Sequence, residues 1–119
     1  MTTDFVLVGE SASRAEVVEW IRRKEPEADI LDNVYLIDGD AKLSGAVEIS
    51  RLLLAPENQT VAELKSEPLV WVPADAHERE VFELFDKYNL RSLAVVDGSG
   101  RPIGAITVDD VVTRLRAQL

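Results

Sequence analysis

The sequence predicts an α+β fold of two tandem β-α-β-β-α repeats, packed with internal pseudo-two-fold symmetry and with the strand-rich parts of both copies in one core. Three observations carry this. Residues 6–21 lie over residues 70–85 at a shift of 64, with six of sixteen positions identical: Val6/Val70, Val8/Val72, Ala12/Ala76, Glu16/Glu80, Val17/Val81 and Glu19/Glu83. Residues 36–52 lie over 95–111 at a shift of 59, matching Asp38-Gly39 to Asp97-Gly98 and Gly45-Ala46 to Gly104-Ala105. In each copy that Asp-Gly pair separates two β-rich runs, which is a hairpin signal. The shift falls by five because the first copy carries an extra stretch around residues 25–33. A unit of about 50 residues cannot bury its apolar face alone, so the copies are expected to pack on each other.

The elements follow in order. Residues 5–8 form a short apolar run, expected as a strand. Ser13-Arg14-Ala15-Glu16 has the form of a capping box, in which each side chain satisfies a free backbone N–H. It opens a helix to about Lys24, with Val17, Trp20 and Ile21 on one face. Strands are expected over 34–37 and 46–49, around the turn 38–42, and a short helix over 50–54. Residues 55–60 are polar and proline-bearing, hence a linker. Thr60-Val61-Ala62-Glu63 reads as a second capping box opening a short helix. The second copy repeats the plan. Its helix covers 78–88, with Val81, Leu84, Phe85 and Tyr88 on its face and Asp75 or Ala76 near its start. Strands over 93–96 and 103–108 flank the turn 97–102, and a last helix covers 109–118. The first motif with its linker is therefore residues 1–60 and the second is 61–119.

Composition narrows the function classes. The hydrophobic share of 46% is that of a folded globule. There is no cysteine, which removes disulfides and thiolate metal sites and fits a reducing compartment. No apolar run is long enough to span a bilayer, and residues 1–20 do not read as a signal peptide. The net charge of −9, from 22 acids against 13 bases, repels nucleic acid and anionic membranes and attracts divalent cations or basic partners. With one histidine, no Gly-x-Ser-x-Gly and no phosphate-binding loop, no catalytic set is visible and no enzyme activity is expected.

The tandem repeat, with Leu93-Ala94-Val95-Val96-Asp97 followed by Gly104-Ala105-Ile106-Thr107-Val108-Asp109-Asp110-Val111, resembles a pair of cystathionine-β-synthase (CBS) domains over essentially the whole chain. The first copy resembles the CBS pair of MgtE-type magnesium channels more closely. The residues that carry this are Arg22-Arg23 followed by Pro26-Glu27-Ala28, the extra segment before Val34-Tyr35-Leu36-Ile37-Asp38, and the run from Leu52-Leu53-Leu54-Ala55-Pro56 to Leu64. The resemblance implies a cytosolic regulatory module that binds an adenine nucleotide (ATP, ADP or AMP) between the copies, responds to Mg²⁺ and forms a homodimer. It also implies an N-terminal helical domain and a membrane pore as flanking partners. A free-standing adenosine sensor and a ligand-free dimerisation scaffold are the alternatives.

Within that resemblance Gly104 permits close backbone approach, Thr107 can present a hydroxyl, and Asp110 can accept two hydrogen bonds from vicinal ribose hydroxyls. The same Thr107 and Asp109 also suit a cap on the last helix. An adenine is expected against apolar residues such as Val70. Arg91 matches a position where such domains place a base near phosphate, and it also reads as a surface arginine. The first copy departs from the motif, with Glu48 for Thr107 and Arg51 for Asp110, so at most one working cleft is expected. Glu25, Glu27, Asp29 and Asp32 are the candidate Mg²⁺ ligands, because Mg²⁺ keeps most of its waters and takes one or two carboxylates. A solvated loop is the other reading of that stretch.

Overall fold

The computed structural model describes residues 1–3, 5–26 and 31–118. The first copy runs β1 (Leu7–Gly9), α1 (Arg14–Lys24), β2 (Asn33–Ile37), β3 (Leu43–Glu48) and α2 (Ile49–Leu54). A 3-10 turn over Val61–Leu64 precedes the second copy: β4 (Trp71–Pro73), α3 (Glu78–Tyr88), β5 (Ser92–Val96), β6 (Pro102–Thr107) and α4 (Val108–Ala117). Each copy makes one three-stranded sheet, in the orders β1-β2-β3 and β4-β5-β6. The first pairing in each is parallel and the second antiparallel.

The pairing registers repeat the sequence offsets. Asn33 faces Glu48 as Ser92 faces Thr107, and both hairpins are irregular at the same place, Leu36/Ile37 and Val95/Val96. The turns are built alike. Asp38 Oδ1 accepts from the N–H groups of Asp40 and Lys42, and Asp97 Oδ1 from those of Ser99 and Arg101. The Arg101 N–H foremost, then that of Ser99, holds the Asp97 carboxyl below its ordinary pKa. The left-handed turn position is Ala41 in one copy (φ 62°) and Gly100 in the other (φ 83°). Only the second copy has the residue that adopts this conformation without a Cβ penalty.

Caps set the helix ends. Ser13 and Glu16 form the expected capping box on α1. The cap of α3 is His77, one residue beyond the expected start, because its imidazole Nδ1 accepts the Arg79 N–H at 3.2 Å. Both long helices stop at a left-handed residue, Glu25 and Asn89, again 64 apart. Thr60 makes no side-chain cap, and its segment is a 3-10 turn held by the burial of Val61 and Leu64. Among the described residues no helix is long and apolar enough to cross a membrane.

The expected single core resolves into three parts, because each sheet has two faces and side chains alternate between them. Val34, Leu36 and Val47 turn towards the helices of the first copy, together with Val6, Val17 and Leu52. Leu93 and Val95 do the same in the second, with Val81, Phe85 and Val111. The opposite faces meet at a seam of Tyr35, Ala94 and Ala105, bordered by Phe5, Leu7, Leu43 and Ala46. Burying each core valine or leucine contributes about 1.5–3 kcal/mol, so each half has its own hydrophobic stabilisation and the seam adds the shared part.

Backbone bonds cross the seam as well. The Leu43 N–H donates to the Gly100 carbonyl at 2.9 Å. Thr2, ahead of β1, pairs with Ala105 of the second copy, and the Ser66 N–H, ahead of β4, donates to Ala46 of the first at 2.8 Å. Each copy thus lends its leading segment to the other's hairpin. Ala94 is fully buried (0% exposed) where the sheets close. Ala94→Leu should therefore overpack the seam and cost about 1–3 kcal/mol in urea unfolding. The exposed Leu53→Ala should change stability by no more than about 0.5 kcal/mol. An unaffected Ala94→Leu would show that the sheets do not close there.

Candidate functional site

The seam opens on one side into a cleft of about 600 Å³. Four segments wall it. The start of β2 brings Asp32, Asn33 and Tyr35, and the end of β3 brings Ala46 and Glu48 with Ile49 and Ser50 behind them. The crossing segment brings Ser66, Glu67, Pro68 and Val70, and the turn after α3 brings Tyr88 to Ser92. Local structure explains the convergence. Asn33 and Glu48 are register partners, the Ser66 bond to Ala46 lays the crossing segment along β3, and the left-handed Asn89 turns the chain from α3 into β5.

A polar thread lies at the cleft floor. The Ser92 O–H donates to Asp32 Oδ1 at 3.0 Å and lies 3.1 Å from Oδ2, and the Asn33 amide donates to Asp32 Oδ2 at 3.2 Å. Ser92 has one proton, so the Tyr35 O–H donates to Ser92 Oγ across 2.6 Å. Tyr35 and Ser92 are only 3% and 6% exposed, which makes an unpaired hydroxyl at either costly. Burial pushes the Tyr35 phenol well above its ordinary pKa, with the Ser92 bond pulling the other way, so the phenol remains a proton donor at neutral pH.

The sequence-predicted nucleotide residues fall in two places. Val70 and Arg91 line this cleft. Gly104 lies within β6, and Thr107 and Asp110 at the β6–α4 junction, all three outside the cleft's lining. There the Thr107 N–H donates to Asp110 Oδ2 at 3.0 Å and the Asp110 N–H to Thr107 Oγ1 at 3.3 Å, a complete capping box. A Cβ on Gly104 would stand 2.6 Å from Met1 Sδ and 3.0 Å from the Thr2 carbonyl, so the leading segment covers that glycine. The first copy mirrors this with the stem of Lys65 over Gly45. Its motif is not locked, however: Glu48 caps α2 with no side-chain hydrogen bond.

Of the candidate Mg²⁺ ligands, Glu27 and Asp29 lie outside the described residues. Glu25 is the left-handed cap that ends α1, and Asp32 is bonded to Ser92 and Asn33. Among the described residues no group of three His, Cys, Asp or Glu is placed to hold a metal. Sequence reasoning missed Tyr35 and Ser92 as cleft residues, and read Glu48 only as a departure from the motif that spoils the first copy's cleft. The available signal was a serine at the head of an otherwise apolar strand and a tyrosine at the position equivalent to Ala94. The cleft offers an apolar wall at Val70, Ile49 and Pro68, one guanidinium and several acceptors. It is suited to holding a ligand.

Residues 61–117 match the family model described as CBS domain. Over 118 residues, 99% of the chain, it is 35% identical to the magnesium transporter MgtE of Thermus thermophilus, covering 26% of that protein. It is 22% identical over 112 residues, 94% of the chain, to MgtE of Bacillus subtilis, covering 25% of that one. The chain thus spans about a quarter of the length of these relatives. A solved structure of the cytosolic domain of the Mg²⁺ channel MgtE in complex with ATP superposes with a TM-score of 0.90 at 34% identity, over 96% of this chain and 46% of that one. The chain is a tandem pair of CBS domains, similar over its length to the cytosolic region of MgtE-type magnesium transporters.

Proposed function

We propose that the chain is the ligand-sensing regulatory part of a magnesium transporter, placed on the cytoplasmic side and taking an adenine nucleotide in the seam cleft. The observation that carries this is the cleft itself, with Val70 and Arg91 brought together beside a buried polar floor. The likeness to an MgtE domain solved with ATP supports the choice of ligand class. The base lies against Val70 and Pro68, and Arg91 meets phosphate. Because both copies wall the cleft, a bound nucleotide biases how the halves pack, which is the coupling a sensor needs. An N-terminal helical domain and a membrane pore are the partners this reading assigns. A free-standing adenosine sensor would use the same cleft, and the presence of a pore in the same gene separates the two.

Two chains associate side by side in this proposal. Leu53 and Val112 occupy equivalent places on α2 and α4 and are 56% and 39% exposed, with Leu54 and Leu115 beside them. That exposed apolar surface on both helices supports a homodimer.

Calorimetry with adenine nucleotides tests the cleft. Arg91→Ala removes a charge-assisted hydrogen bond and should weaken binding roughly 10- to 150-fold. Asp110→Ala should lower stability by about 1 kcal/mol through loss of the cap and change affinity by less than about threefold. Binding lost with Asp110→Ala and kept with Arg91→Ala would move the ligand to the β6–α4 junction.

Mg²⁺ enters through the acid excess of 22 carboxylates over 13 bases. Bound between like-charged surfaces, the cation relieves repulsion and favours the compact state. A site at about ten times its Kd contributes only about 1.4 kcal/mol, so several weak sites are required. Thermal melts should show Mg²⁺ raising Tm beyond Na⁺ at matched ionic strength. Equal effects of the two cations would reduce the acidity to general screening.

A further inference from the structure

We propose, on the reading that the seam cleft holds an adenine nucleotide, that Glu48 makes it selective for a nucleoside monophosphate over a triphosphate. Among the described lining residues the charged groups are Asp32, Glu48, Glu67 and Arg91, three carboxylates against one guanidinium. Asp32 is held by Ser92 and Asn33. Glu48 makes no side-chain cap on α2, and neither it nor Glu67 forms an ion pair among the described residues.

The freedom of Glu48 has a local cause. In the second copy the equivalent Thr107 is locked to Asp110 in a reciprocal cap. In the first copy Arg51 stands where Asp110 does, and a guanidinium has no acceptor to close such a box. Glu48 therefore stays exposed, opposite Asn33 in register and beside Asp32 at the cleft wall.

A carboxylate there does two things to a nucleotide. It accepts hydrogen bonds from a vicinal ribose diol, as a threonine hydroxyl does more weakly. It also repels phosphate oxygens brought within a few ångströms of it. One guanidinium matches one phosphate in a bidentate pair. A second and third phosphate have no further cation among the described lining residues and add charge beside Glu48 and Glu67. Two extra negative charges several ångströms from a carboxylate cost affinity of about tenfold or more.

The test is calorimetry on the whole chain in EDTA, at fixed ionic strength, with adenosine, AMP, ADP and ATP. AMP should bind tightest, with ATP at least about tenfold weaker. Glu48→Gln, which keeps the shape and is checked for folding by its melt, should narrow the AMP-to-ATP gap. Millimolar Mg²⁺ should narrow it too by neutralising the added phosphates. ATP binding as tightly as AMP overturns the selectivity and leaves the nucleotide reading standing. A gap unchanged in Glu48→Gln overturns the role of that residue. Failure of all four ligands to bind overturns the nucleotide reading itself.

Discussion

Tyr35 and Ala94 occupy equivalent places in the central strands of the two copies, and both are buried in the cluster where the sheets close on each other. The rest of the molecule depends on that contact. A three-stranded sheet with helices on one face leaves its other face open, and only the second copy covers it. Three of the positions at the seam are alanines, Ala46, Ala94 and Ala105, which lets the sheets approach. Tyr35 standing where the other copy has Ala94 breaks the symmetry. Its hydroxyl must be satisfied inside the protein, and Ser92 of the other copy does so, passing the bond on to Asp32. The same thread joins the halves and forms the polar floor of the cleft, so packing and the site share their atoms.

The two strand–helix junctions show how a duplicated unit acquires different uses. Thr107 and Asp110 satisfy each other's backbone groups, and that junction acts as a cap. Glu48 and Arg51 cannot close the same ring, so their side chains remain available. The leading segments add to the contrast: Met1 and Thr2 cover Gly104, whereas Lys65 lies over Gly45 with its ammonium drawn 3.0 Å from Glu10.

Much of the fold was legible because it rests on local signals. The Asp38 and Asp97 turns, the Ser13–Glu16 box and the offsets between copies are all short-range features, and the structure reproduces them at the residues where they were read. The division of the core was not legible from the runs alone. Whether Tyr35 faces its own helices or the other sheet depends on the period-2 alternation and on the pairing of the copies. Of the cleft's lining, the sequence pointed to two residues. Val70 and Arg91, singled out by the family resemblance, stand in its wall. Thr107 and Asp110, singled out with them, lie outside that lining, since a motif does not reveal which cleft it borders when the leading segments cross between copies. Ser92 gave only a weak signal, since its importance comes from Tyr35, a residue 57 positions away.

The central claim is that a ligand enters at the seam, where both copies supply the walls. Amide chemical shifts of the labelled chain, followed through a titration with AMP, test it most directly. The account predicts shifts concentrated in residues 31–35, 66–70 and 88–92, the three segments from both copies that meet around Arg91 and Ser92. Shifts confined to residues 104–110, with these three segments silent, would contradict it.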